Sequence, residues 1–437
     1  MFGQLMISRR FAPMFLCQFL SALSDNFVKN ALVILVLFQA GGDESGALVT
    51  LASGALIAPF LILSALGGEL ADKFDKAHIA QTLKLAEIPV AGIAAVGFLL
   101  SSVPLLFMAL GLFGVIAALF GPVKYGILPD HLEKSQLPAA NALFEGATFL
   151  AILVGTIVGG LAAADAGSSA RLSVAVVALA VSCWIFARLI PPTGAAAPHL
   201  AITVNPVTST VTLLRDLRSQ RRLWIGGLTT SWFWLVGIVA LSLLPTIIKQ
   251  RVGGTPGVVT LGLFVFTIGI ALGSLLAARA SRAGPNLMLI PAGALLMGLV
   301  CLDLAWVVAH LQPGAVPLSP AAFVGTTSGL RLTIDLFALA ASGGLFIVPA
   351  FTAVQSWAPP DRRARVVAAV SVLNAALMTT GSLALSALQI AGVSLPQLLL
   401  ALGIGNFAVL LFVARAWGEA SLAGQPASLD AEKVSVD

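Results

Sequence analysis

Twelve stretches of about twenty or more mostly apolar residues divide this chain from end to end, separated by glycine, proline or charged clusters. They run approximately over 13–39, 47–71, 79–101, 103–128, 138–163, 171–192, 222–249, 257–279, 287–310, 333–355, 365–391 and 395–417. A helix that crosses a bilayer needs about 20 such residues. Within hydrocarbon every backbone N–H and C=O must be satisfied by protein, which restricts spanning structures to helices and closed barrels. Runs of this length, without strict alternation, select helices. Only 10% of the residues are charged and the mean hydropathy is +1.00, against about 25% charged residues in soluble domains. Little chain remains for a domain outside the membrane, so a soluble enzyme is excluded.

The formal charge of +5 is distributed by topology and does not form a nucleic-acid patch. With the N-terminus inside, sixteen lysines and arginines fall on the inner side, and Arg171, Lys249, Arg251 and Arg331 fall on the other. That bias places both termini in the cytoplasm. The first span follows Arg9 and Arg10, as a cleaved leader would, but its apolar character resumes after Asn30 and reaches Phe38. It therefore reads as a retained span. Cys17, Cys183 and Cys301 sit in three different spans without metal-ligand spacing, and read as buried thiols.

The longest polar interruption, 193–221, separates a six-span half (1–192) from a second (222–417); residues 418–437 read as a disordered tail. Within the linker, "PVTSTVTLLRDLRSQRRL" is expected to form an amphipathic helix on the inner leaflet. Gly155/Gly159 and Gly269/Gly273 allow close helix packing, here expected inside one bundle rather than at a dimer face. Two six-span halves joined by a long inner linker match the arrangement of the major facilitator fold. Asn141 and Asn374, each following a Gly/Pro element, hint at duplication.

The segment "CQFLSALSDNFVKNALVILVLFQ" (17–39) carries Asp25, Asn26, Lys29 and Asn30 near mid-membrane. Charged groups there cost about 2.5–3.5 kcal/mol each on insertion scales, and such residues face a bundle interior or a water-filled cavity. Asp25 and Lys29 are spaced i,i+4 with the acid first, the favourable order for a helical ion pair. They are candidates for a substrate or ion site. Lys124 and Glu145 lie toward the inner side and read as a second polar pair, while Asp303 is an acid in the ninth span suited to a coupling ion. Asn374 completes the candidate set. Lys84 and Glu87 read as structural, and Arg331 with Asp335 as an interfacial i,i+4 pair.

After the second span comes "GGELADKFDKA" (67–77). It resembles the major facilitator signature at Gly68, Leu70, Ala71, Asp72, Lys73 and Lys76, with Asp75 in place of the usual second glycine. The expected gating residues are Gly68, Asp72, Lys73 and Lys76, with Asp72 pairing to a basic residue or the N-terminus of a neighbouring helix.

The segments "QFLSALSDNFVKNALVIL", "FGPVKYGIL", "NALFEGATFLAILVGTIVGG", "SWFWLVGIVALSLLP" and "GGLFIVPAFTAVQ" resemble the bacterial lysophospholipid transporter family, which includes members fused to acyltransferase and acyl-acyl-carrier-protein synthetase domains. The resemblance spans about residues 10–415. It implies ion-coupled movement of lysophosphatidylethanolamine-like lipid across the inner membrane, driven by Na⁺ or H⁺ and without a further cofactor. It also implies functional roles for Asp25 and Lys124. Some members carry a basic residue in the seventh span, where this chain has Trp232 and Trp234. The expected partners are the lipid substrate, membrane lipids and a separate acyltransferase, since no such segment follows the twelfth span here; a monomer is expected. The alternative is a proton-coupled exporter of drugs or other amphiphiles, for which Asp25, Glu145 and Asp303 would serve equally. A membrane-embedded acyltransferase is excluded: His78, His131, His199 and His310 lie in or beside loops, and no HxxxxD pattern is present.

Overall fold

The structure, a computed structural model, describes residues 2–39, 44–164, 169–203, 205–281, 285–312 and 317–422. Its first half contains α1 (Phe2–Ile7), α2 (Ala12–Gln39), α3 (Glu44–Lys73), α4 (Lys76–Leu99), α5 (Val103–Gly126), α6 (Leu128–His131), α7 (Leu137–Ala164) and α8 (Ser169–Arg188). The linker carries α9 (Pro206–Ser219). The second half contains α10 (Arg221–Ile247), α11 (Pro256–Ala280), α12 (Leu289–His310), α13 (Pro320–Val324), α14 (Thr327–Trp357), α15 (Arg363–Ile390) and α16 (Leu395–Leu422). Among the described residues no strand forms.

Twelve of these helices are long, and among the described residues eleven are apolar enough to cross a membrane by length and composition. The remaining long helix is α2, whose 28 residues extend about 42 Å. Its centre carries Asp25, Asn26, Lys29 and Asn30, which must find partners inside the bundle.

The two halves repeat one packing scheme. In the first, the opening long helix packs on the fifth (α2 on α7), the second on the fourth (α3 on α5) and the third on the sixth (α4 on α8). In the second the same order recurs as α10 on α15, α11 on α14 and α12 on α16. The halves meet chiefly where α3 packs on α15 and α7 on α11.

The glycine pairs read from the sequence serve packing within the bundle. A Cβ on Gly155 would stand 2.6 Å from the Leu23 carbonyl oxygen, and one on Gly159 would stand 2.5 Å from that of Phe27, so α7 lies directly on the α2 backbone. Gly269 and Gly273 bring α11 equally close to α14 at Phe337 and Ala341.

The expected linker helix forms, N-capped by the Asn205 side chain on Val207 N and Thr208 N, and one side of it docks on protein. Leu213 and Leu217 are buried against α3, α10 and α15, and Ser209 Oγ donates to Glu69 Oε1 at 2.6 Å. The tail was expected from residue 418, whereas α16 continues through Leu422; 423–437 lie outside the described residues. Cys17, Cys183 and Cys301 are buried and free.

Candidate functional site

One end of the bundle gathers the basic clusters, and there the halves are locked together. Asp72, at the end of α3, is fully buried. Its Oδ1 accepts from Ala364 N at 2.9 Å, and its Oδ2 accepts from Arg365 N at 3.1 Å and Arg365 Nε at 3.0 Å. One carboxylate thus satisfies two of the orphan N–H groups that open α15 and complements that helix's dipole. Gly68 permits the contact: a Cβ there would stand 2.6 Å from Ala368 Cβ and 2.9 Å from Arg365 Cα. Asp130 adds a second crossing. It accepts from Lys76 of its own half at 2.8 Å and from Arg363 of the other at 2.7 Å. Lys73 lies over the Phe74 ring and, among the described residues, forms no ion pair.

The departure from the family signature at Asp75 has a local reason. Its Oδ1 caps α4 at Ala77 N and His78 N, and its Oδ2 accepts from Thr193 N at 2.8 Å and Gly194 N at 2.5 Å. A glycine there would offer none of these four acceptor contacts.

Deeper in the bundle, the first half holds most of the buried charge. Lys84 and Glu87, read from the sequence as structural, form an ion pair at 2.5 Å with both side chains essentially inaccessible. Lys84 Nζ also donates to Ser21 Oγ at 2.6 Å and sits 4.3 Å from the Phe120 ring centroid. Lys124 Nζ reaches inward to Gln18 Oε1 at 3.4 Å and lies over the Tyr125 ring instead of extending to the interface. Glu145 accepts from Tyr125 Oη at 3.4 Å, so Lys124 and Glu145 flank one tyrosine without pairing directly.

Asp25 is half-buried. Among the described residues it makes no hydrogen bond or ion pair, and Lys29 donates instead to Asn26 Oδ1 at 3.1 Å. The i,i+4 pair expected from the spacing is therefore not formed, which leaves Asp25 open within electrostatic reach of Glu87, Lys84, Lys124 and Lys29. Asn30 Nδ2 ties α2 to Thr156 of α7 at 3.1 Å.

Asn141 spans the halves, donating to Gln355 Oε1 at 2.6 Å and Thr352 Oγ1 at 3.0 Å; Gln355 in turn donates to the Tyr125 carbonyl at 3.0 Å. Asn374 belongs to the second half, where it accepts from Ser231 Oγ at 2.7 Å. The two tryptophans of α10 differ in role. Trp232 donates to Asn406 at 2.9 Å, while Trp234 stacks on Phe149 of the other half.

Asp303 stands apart from this cluster. It forms a bidentate pair with Arg331, whose guanidinium lies over Trp306, and both partners are partly exposed. Arg331 thus forks onto Asp303 of α12, and among the described residues the expected ion pair with Asp335 is not formed.

The reading from sequence missed Gln18, Ser21 and Tyr125. A signal existed: 18, 21, 25 and 29 recur at helical spacing on one side of α2.

A gated pair of six-helix halves around an interior charge cluster defines a secondary transporter, and the comparisons agree. The Major Facilitator Superfamily profile matches residues 14–330. Lysophospholipid transporter LplT of Serratia proteamaculans (strain 568) is 32% identical over 301 residues, 67% of this chain and 71% of that protein. LplT of Yersinia pestis (strain Pestoides F) is 31% identical over 304 residues, covering 67% and 70%. Among solved structures, the human organic anion transporter MFSD10 superposes with a TM-score of 0.69 at 16% identity, over 93% of this chain and 98% of that one. A bacterial homologue of the iron transporter ferroportin, in an outward-facing state, gives 0.69 at 14% identity over 95% and 100%. The chain belongs to the LplT-like family of the major facilitator superfamily, a family of transporters rather than enzymes.

Proposed function

We propose that this protein carries lysophospholipid, of the lysophosphatidylethanolamine kind, across the bacterial inner membrane by alternating access. The basic end of the bundle is then cytoplasmic, and the lipid is delivered there to a separate acyltransferase. The observation that carries this reading is the opposed charge on the interior face of the first half: Lys124 held by Gln18, and Asp25 without a partner. A zwitterionic head group needs both. Lys124 meets the phosphate as a point charge, and Asp25 meets the ammonium or the coupling ion, Na⁺ or H⁺. Beside α2, a recess of about 540 Å³ between α7 and α11 has apolar walls, including Phe15, Phe19, Leu150 and Leu272. It supplies a surface of the right chemistry for the single acyl chain. The monomer suffices, since both poles come from one half.

In the cycle, the Asp72–Arg365 and Asp130–Arg363 contacts close the cytoplasmic side; breaking them lets the halves rock about α7 and α11. Coupling is assigned to Asp25 in preference to Asp303, which is engaged by Arg331 at the periphery.

The test is uptake of labelled lysophosphatidylethanolamine into proteoliposomes under Na⁺ and H⁺ gradients. Saturable uptake that falls at least about tenfold in both Asp25→Asn and Lys124→Gln, the minimum for losing a charged hydrogen bond, supports the reading. Absence of uptake by folded wild-type protein, or full uptake by both variants, overturns it.

A further inference from the structure

At the basic end, beside the gate, the turn before α2, the start of α4 and the end of α8 enclose a recess of about 690 Å³. Arg9, Arg10 and Arg188 line it together. Among the described residues none of the three forms an ion pair with a carboxylate. The one acid in the recess, Asp75, is already engaged by four backbone N–H groups, from Ala77, His78, Thr193 and Gly194. Its oxygens are turned to those amides, and one carboxylate against three guanidiniums leaves the recess with a net positive charge.

Its surroundings are those of a lipid boundary. Leu189, in the wall, is 54% exposed, and Ile185 one turn earlier on α8 is 49% exposed. The Arg188 guanidinium rests 5.5 Å from the Trp184 ring centroid. Tryptophan and arginine at the end of a spanning helix mark the depth of the head groups, and exposed aliphatic side chains beside them face acyl chains.

We propose that this recess binds the phosphate of an anionic phospholipid from the leaflet at the basic end, separately from the transport site. Planar guanidiniums form forked hydrogen bonds with phosphate, and here two from the turn before α2 and one from the end of α8 line a single recess rather than a diffuse basic surface. The lipid source is favoured over a soluble phosphate compound because the wall beside the cations is apolar and open to the hydrocarbon side. The site adjoins the gate: Asp75 ties the α3–α4 turn, which carries Asp72 and Lys76, to the linker at Thr193 and Gly194. An occupied recess holds that turn in place.

The experiment is native mass spectrometry of the full chain in detergent, titrated with phosphatidylglycerol. Wild type is compared with R9Q/R10Q/R188Q and with K134Q/R215Q/R218Q, which removes the same charge from exposed positions elsewhere on that end. The expected result is one tightly held phosphatidylglycerol in wild type, weakened on the order of a hundredfold in the recess variant and within about twofold in the control. Because all three arginines are exposed, folding is expected to be retained; R188E alone, weakened at least about tenfold, serves if the triple variant is not recovered. Equal weakening in both triple variants, equal binding of phosphatidylcholine, or displacement of the lipid by millimolar inorganic phosphate would each overturn the proposal.

Discussion

Asp72 and Arg365 meet at 3.0 Å, although 292 residues separate Asp72 from Ala364, the neighbouring contributor to the same clasp. The carboxylate is fully buried and the arginine partly so, and a single side chain holds the N-terminus of a helix from the other half. Asp72→Asn keeps the shape but loses the charge. Breaking a buried pair by removing one partner costs about 3–5 kcal/mol, and here that cost falls on the closed gate. A cysteine at Ala368 is expected to react at least tenfold faster with a maleimide in the Asp72→Asn background. Unchanged labelling would remove Asp72 from the gate.

Gly68 tests the same closure sterically. Its neighbours, Ala368 Cβ and the Arg365 backbone, leave no space for a side chain. Gly68→Val is expected to insert and fold while losing transport by an order of magnitude or more, since overpacking costs about 1–3 kcal/mol. Normal transport would show that the halves need not approach this closely.

Lys84 and Glu87 separate structure from function. Either Lys84→Met or Glu87→Gln strands the other member in an inaccessible site, so each single variant is expected to lose about 3–5 kcal/mol of stability. The double variant Lys84→Met/Glu87→Leu is expected to recover most of the melting temperature, because replacing a buried pair by apolar groups is often neutral. Transport by the double variant decides whether the pair shapes the field at Asp25: it is expected to stay at least tenfold below wild type, and full activity would make the pair structural only.

Asn141 ties α7 to α14 through Gln355 and Thr352. Asn141→Ala leaves Gln355 Oε1 without its donor in a buried setting, at a cost of about 1–3 kcal/mol. The fall should appear in thermal unfolding followed by tryptophan fluorescence. Trp234, stacked across the halves on Phe149, makes that signal sensitive to their separation. A melt superimposable on wild type would count against this tie.

Asp303→Asn is the peripheral control. The pair with Arg331 is partly exposed, and such pairs contribute little, so uptake within about twofold of wild type is expected. A collapse of ion-coupled uptake would move the coupling site from Asp25 to Asp303.

The twelve long helices, their division into two halves and the family were legible in the residues, because a bilayer allows an apolar run of this length only one backbone solution. The side of α2 that turns inward was legible for the same reason: Asp25, Asn26, Lys29 and Asn30 cannot face lipid. What the side chains then do was decided by packing. Asp25 and Lys29 satisfy the i,i+4 rule, yet Lys29 bonds Asn26, because helical spacing states which residues are near and not which rotamer the neighbouring helix permits. Lys84 and Glu87 read as structural, but that they pair with each other and with Ser21 of α2 was decided by the packing. Asp72 had no identifiable partner in its own neighbourhood of the chain; the approach of α3 to α15 through Gly68 supplied one. Local periodicity is written along the chain, whereas contacts between helices depend on crossing geometry and backbone distance, which are set only when both halves are folded and closed on each other.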